Sequence, residues 1–482
     1  MTAPSTSPLD TAEFVYPRAE APQPQTTSLL LILVCALLIP GLLAYNLVTN
    51  REAQVVAEVL AVLGVAAIFA WPFVGVVLLI GLVYVRPEES IVALQGMRLT
   101  LMVSLVTLLA LWVHAFVDRK PMTKSPVNPL ILGFGAIAIF TTFGRGTTSL
   151  LAPDMTKLVV LVFLVLNLVR TRQRYQAYVT SLVLFTSYLG AYSTYLYYTG
   201  RAMKYTGVLD RSIATGIFED PNGLSAALVC GLALALGRVR WNRRASSVMY
   251  LALSALLTWS ILLTNSRGGL LALMVVVGGY FLMAFRRKTV AVAVAVVMLG
   301  GLLAFAPSRM REFDSNEESA NSRFWFWDNA LQQLASHPLL GVGYGEFPDV
   351  NDGMTAHNSF VLCFAELGLV GYFCWMGCLY FCFRKAPREE GAPTEDEDDR
   401  RDLYSARLAL AAYLMACFWI SRTYNPILYL MMSLPIAQQV SSSGGTVHFP
   451  MDSTARFRHL SNVLMLSLGS IAFVWVLVQR FK

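Results

Sequence analysis

The chain has 482 residues, of which 56% are hydrophobic and 14% charged, and its mean hydropathy is +0.56. That is far more apolar material than a soluble core needs, so a soluble globular protein is excluded. The formal net charge of +7 is concentrated in short loops between apolar runs, which marks membrane topology and not a nucleic-acid footprint.

The first 26 residues are rich in Pro, Ser, Thr and Ala and lack an apolar core near their start. They read as a disordered tail, and no cleaved signal peptide is expected. From Ser28 onward, apolar runs approaching the ~20 residues of a membrane crossing follow in quick succession. They lie near 28–48, 54–70, 71–86, 98–117, 128–143, 156–169, 175–198, 222–237, 247–265, 268–285, 289–306, 357–383, 405–421 and 461–480. A shorter candidate, Tyr424 to Gln438, is interrupted by Pro426 and Pro435. The expected fold is all-α and polytopic, with about 12–15 transmembrane helices. Its expected divisions are the tail 1–26, transmembrane helices over 27–306, one large loop over 307–356, and C-terminal transmembrane helices over 357–482 enclosing an acidic loop at 384–402.

Orientation follows from Lys and Arg in the short loops. Arg119, Lys120 and Lys124; Arg170, Arg172 and Arg174; Arg238, Arg240, Arg243 and Arg244; and Arg286, Arg287 and Lys288 form clusters that alternate with weakly basic loops. Such clusters face the cytoplasm. Counting from them puts the N-terminal tail inside, the loop 307–356 outside, and the loop 384–402 inside, where the run from Glu395 to Asp399 reads as a solvated linker.

The loop 307–356 carries Arg309, Arg311, Glu312, Asp314, Glu317, Arg323, Asp328, Glu346 and Asp352 among its charges. Each would cost roughly 3 kcal/mol at the bilayer centre, so the loop lies outside lipid. Asn321 or Ser322 suits a helix cap, and Phe324, Trp327, Leu331 and Leu334 then form one apolar stripe that ends at His337-Pro338. Such a helix suits the bilayer surface. Gly341, Gly343 and Gly345 supply turns; with no strand before them and no phosphate-binding helix after, they are not a dinucleotide site.

The informative residues are the polar ones on the outer face. Arg211 precedes Gly216 and the turn Asp220-Pro221-Asn222-Gly223; the hairpin TNSRGG brings Arg267 to the same boundary; His357 and Asn358 open the span after the large loop. An arginine fork suits phosphate oxygens, and a histidine titrating near pH 6.5 takes up a proton under working conditions.

His357-Asn358, nine residues, and Gly368-Leu369-Val370-Gly371-Tyr372 resemble the motif of the O-antigen ligases, a His followed by Asn, Ser or Gln, nine residues, then Gly-x-x-Gly-Tyr. Arg267 through Leu271 fits the Arg-x-x-x-Leu pattern of that family. The block with Arg211 and EDPN, the TNSRGG turn and Ser322-Arg323-Phe324-Trp325 are similar to the wider O-antigen ligase and polymerase superfamily. The resemblance runs from about residue 150 to 383.

The resemblance implies a glycosyltransferase-C-like enzyme of the bacterial inner membrane, working at the periplasmic face on an undecaprenyl-diphosphate-linked glycan without metal or other cofactor. The loop 307–356 would then be periplasmic. Arg211 and Arg267 would hold the donor diphosphate as it leaves. His357 would be the general base on a hydroxyl of a lipid, glycan or protein acceptor. Arg323, Asn358 and Asn222 are the expected further contacts to substrate. A repeat-unit polymerase of the same superfamily is the nearest alternative. A lipid-linked sugar transporter or flippase is the alternative from another class, but transporters gather their substrate residues near the midplane and these lie at one face.

Other candidates carry no chemistry. Cys35, Cys230, Cys363, Cys374, Cys378, Cys382 and Cys417 all fall in apolar segments, so disulfides are not expected; Cys374, Cys378 and Cys382 share a helical face that reads as packing and not as a zinc site. Glu366 lies nine residues past His357, ~13 Å deeper along a helix, and is expected to make a structural hydrogen bond. His114, His337, His448 and His459 have no neighbours at ligand spacing.

Overall fold

The computed structural model describes residues 52–90, 94, 96–119, 121–143, 148–201, 204–205, 209–240, 244–285, 287–305, 307, 318–387, 396–443, 449 and 452–481. The tail 1–26, the run 28–48, Cys35, His448 and residues 388–395 lie outside them. Two compact units are separated after Trp71. The first contains α1 (Glu52–Ala70). The second contains α2 (Pro72–Val85), α3 (Leu99–Val117), α4 (Val127–Thr142), α5 (Thr148–Leu168), α6 (Arg172–Tyr198), α7 (Pro221–Gly237), α8 (Arg244–Leu263), α9 (Arg267–Ala284), α10 (Lys288–Phe305), α11 (Glu318–Ser336), α12 (Ser359–Phe383), α13 (Glu397–Cys417), α14 (Pro426–Ser442) and α15 (Ser453–Phe481). Among the described residues the strands are limited to a small hairpin, Lys204–Tyr205 against Leu209–Asp210.

Six of these helices are long and apolar enough to cross a membrane: α3, residues 151–168 of α5, α8, α9, α12 and α15. Shorter apolar helices, among them α2, α4 and α7, pack between them. The protein is an all-α polytopic membrane protein.

Helix α7 is the centre of the second unit and is buried almost all round. Its sequence PNGLSAALVCGLALALG explains why: small residues let neighbours approach closely. A Cβ at Gly231 would strike Thr186 of α6, and one at Gly237 would strike Ser405 of α13. Helix α14 is also buried nearly throughout and continuous, which corrects the interruption expected at its two prolines. Pro426 occupies the first turn, where its missing N–H costs nothing, Asn425 caps that turn, and packing on all sides holds the helix past Pro435.

The stripe on α11 is met: Trp327 and Leu334 are buried, Phe324 and Leu331 partly so. The helix starts at Glu318, about one turn before the expected cap, because no helix breaker separates Glu318 from Ser322. Its stripe packs on the bundle end, with Phe324 stacked on Phe481 at 4.7 Å and Trp327 edge-on to Phe418 at 5.6 Å.

Between α11 and α12 the chain does more than turn. Helix α12 is broken at Gly368 (φ 61°, ψ −165°), a conformation that only glycine adopts readily. The break frees backbone groups that the segment 338–347 satisfies. Val342 N and Gly343 N donate to the carbonyls of Ala365 and Glu366 at 2.9 and 2.8 Å, while Leu369 N and Val370 N donate to those of Pro338 and Leu339 at 2.8 and 3.2 Å. Irregular backbone at this depth is tolerated where protein covers it. Glu366 accepts from Phe347 N at 3.2 Å, the structural hydrogen bond expected of it.

At the other end of α7 and α13, the acidic run is not simply solvated. Arg172 meets Asp396 at 2.9 Å, and Arg240 meets Asp398 at 2.7 Å and Asp402 at 3.3 Å. Basic helix ends gathered at one place repel, and the carboxylates at the start of α13 offset that charge. The described cysteines are all free, and all but Cys374 are buried.

Candidate active site

The start of α7 is built by its own cap. Asp220 accepts from Asn222 N and Gly223 N, each at 3.0 Å, and Pro221 takes the first helical position. The Asn222 side-chain oxygen then joins three elements. It accepts from Arg211 Nη2 at 3.1 Å and from Ser266 Oγ at 2.8 Å, while Arg211 Nε donates to the Thr264 carbonyl at 2.9 Å. Arg211 is 5% exposed, so its charge is built into the seam between α7 and the α8–α9 turn. Ser266 caps α9 by accepting from Gly269 N at 3.1 Å, which puts the half-buried Arg267 in the first turn of that helix.

His357 has φ +48°, a left-handed conformation that histidine tolerates better than bulkier or β-branched residues. Asn358 follows as the buried cap of α12, its oxygen accepting from Phe360 N at 2.9 Å and Val361 N at 3.2 Å. From α11, Trp327 Nε1 donates to the Ala356 carbonyl at 2.8 Å, and the Phe326 ring stands edge-on to the His357 ring at 6.5 Å. The charge of Arg323, three residues earlier on α11, also acts on the imidazole. Burial lowers the His357 pKa below its usual value, the Arg323 charge lowers it further, and Asp220 opposes both.

These pieces share one end of the bundle. Arg422, in the α13–α14 turn, meets Asp220 at 2.7 Å, and its N–H donates to Ser359 Oγ at 2.8 Å, two residues past His357. The starts of α7, α9 and α12 therefore meet here, with Arg211, Asn222 and Arg267 on one side and His357, Asn358 and Arg323 on the other, linked through Asp220. Arg172 and Arg240 lie at the far end of α7, about 25 Å away along a helix of 17 residues.

Arg211, Asn222, Arg267, Arg323, His357 and Asn358 are thus all at this end. Arg422 and Asp220 were missed as site residues. Asp220 reads in the sequence as a turn residue; Arg422 lies beyond the resembling stretch, although an arginine in a turn between apolar segments is the same signal that marks Arg211 and Arg267.

A model of the O-antigen ligase family matches residues 251–376, from α8 into the second half of α12, and so includes Arg267, Arg323, His357, Asn358 and the break at Gly368. No curated protein matches the chain. Over that stretch, about a quarter of the chain, the protein is similar to the O-antigen ligase family.

Proposed function

We propose that the protein transfers glycan from an undecaprenyl-diphosphate-linked donor to an acceptor hydroxyl at the periplasmic face of the bacterial inner membrane. The observation that carries this reading is the meeting of a half-buried histidine with arginines at the bundle end opposite the basic clusters. In the reaction, an His357 ring nitrogen takes the proton of the acceptor hydroxyl. The hydroxyl oxygen bonds to the anomeric carbon with inversion, and the bond from that carbon to the diphosphate oxygen breaks. Negative charge then grows on the leaving diphosphate. In this proposal the guanidinium charges of Arg267, at the first turn of α9, and Arg211, bonded to Asn222, offset it. In this proposal Arg323, Asn222 and Asn358 are the further contacts to donor or acceptor. The divisions of the chain set out above, with 307–356 outside and 384–402 inside, are part of this proposal.

Purified protein in lipid is expected to transfer glycan with chelator present, since arginines supply the charge that magnesium brings elsewhere. Activity lost in chelator and restored by magnesium or manganese would show that this role is misassigned. The placement has its own check. With Cys35 replaced by serine, Ser336→Cys on α11 is expected to react with a membrane-impermeant thiol reagent in intact cells, and Ala245→Cys at the start of α8 is not. Both positions are exposed, so equal labelling would remove the basis for a periplasmic site.

A further inference from the structure

The α13–α14 turn has no part in the reading above, yet it is built into the same site. Ser359 Oγ donates to the Ile420 carbonyl at 2.8 Å and accepts from Arg422 N, and Thr423 Oγ1 donates to the Ser359 carbonyl at 2.7 Å. Trp419 packs on Gly268, next to Arg267. Arg422 lies across the first turn of α7 so closely that a Cβ at Gly223 would strike its guanidinium.

The polar accounting at this turn does not close. A guanidinium carries five N–H donors, and among the described residues the Arg422 side chain spends one, on Asp220, while only 20% exposed. In the same turn Trp419 Nε1 and Ser421 Oγ, and at the adjoining cap of α12 Asn358 Nδ2, are buried with no partner among the described residues. Buried donors are nearly always satisfied, so a group of them beside a charged fork marks the place of an acceptor-rich ligand. Phosphate oxygens accept several hydrogen bonds at once and match the fork of an arginine.

We infer that Arg422 and Trp419 bind the diphosphate oxygens of the lipid-linked donor, making the α13–α14 turn a further wall of the site outside the stretch that matches the family. The inference rests on the proposed function, since it names a residue for that same donor. The competing account makes Arg422 only the counter-charge that holds Asp220 at the start of α7.

Binding of undecaprenyl diphosphate and of undecaprenol to the full chain in nanodiscs separates the two. The intact protein is expected to prefer the diphosphate. Arg422→Gln is expected to weaken diphosphate binding roughly 10- to 100-fold, the scale of lost charge-assisted hydrogen bonds, and to leave undecaprenol binding unchanged. The double variant Asp220→Asn/Arg422→Gln is expected to keep that defect. If removing both charges restores wild-type affinity, Arg422 serves Asp220 alone and the inference fails. Trp419→Phe keeps the ring and the ion pair while removing one donor, so it reports even if Arg422→Gln does not fold; it is expected to weaken diphosphate binding several-fold, and unchanged binding would overturn the inference. An intact protein that binds undecaprenol and its diphosphate equally would instead refute the proposed function.

Discussion

Replacing His357 by alanine is expected to lower glycan transfer by ~10²- to 10⁴-fold, the range for loss of a general base, while undecaprenyl diphosphate still binds. The backbone complicates that substitution, because alanine at φ +48° is strained by about 1–2 kcal/mol and the cap at Asn358 follows at once. His357→Asn removes the complication: asparagine accepts the left-handed conformation but cannot take the proton. Both variants are expected to be equally impaired. Activity returning in the asparagine variant would mean that the backbone shape and not the imidazole matters. The environment of the ring sets the pH dependence. A base whose pKa lies below its usual value stays neutral, and so competent, to lower pH, and transfer falls only as pH drops through that lowered value. Arg323→Gln removes a charge that lowers the pKa and is expected to move this acid limb to higher pH. Asp220→Asn removes one that raises it and moves the limb lower.

How much of this was legible in the sequence depends on the range of the signal. Apolar runs report helices locally, so α2 to α9 fall close to their expected places, and a charge against the topological trend, as at Arg211 and Arg267, stands out within its own loop. What escaped is carried by pairs far apart. Asp220 and Arg422 are separated by 202 positions, and Arg172 meets Asp396 across 224, so no periodicity or spacing reports either contact. The acidic run therefore read as a linker. Helix α14 escaped for a different reason: two prolines argue against a helix locally, and burial by neighbours on every side outweighs them. The glycines of the Gly-x-x-Gly-Tyr segment were visible as a resemblance, but their cause lies in the pairing of 338–343 with 365–370.

That cause predicts the effect of Gly368→Ala. A methyl group there would fall on the Leu339 backbone carbonyl, and alanine cannot hold φ 61°, ψ −165° without a penalty of about 1–3 kcal/mol before any overlap is counted. Relief requires either that α12 straighten or that 338–347 withdraw. Each course breaks the hydrogen bonds from Val342, Gly343, Leu369 and Val370 in a buried setting, at a cost of about 1–3 kcal/mol for every group left unpaired. The consequence reaches the site because 338–347 is part of the link from α11 to His357: as the segment moves, the edge-on Phe326 ring and the Arg323 charge lose their place beside the imidazole. Gly368→Ala is therefore expected to lower the thermal transition of the purified protein markedly and to abolish transfer, although the residue lies eleven positions from His357. Gly469→Ala, within α15 and with open space around it, is the control, expected to leave stability unchanged or slightly raised. If the two variants melt and transfer glycan alike, the break in α12 is not what holds the long loop in place.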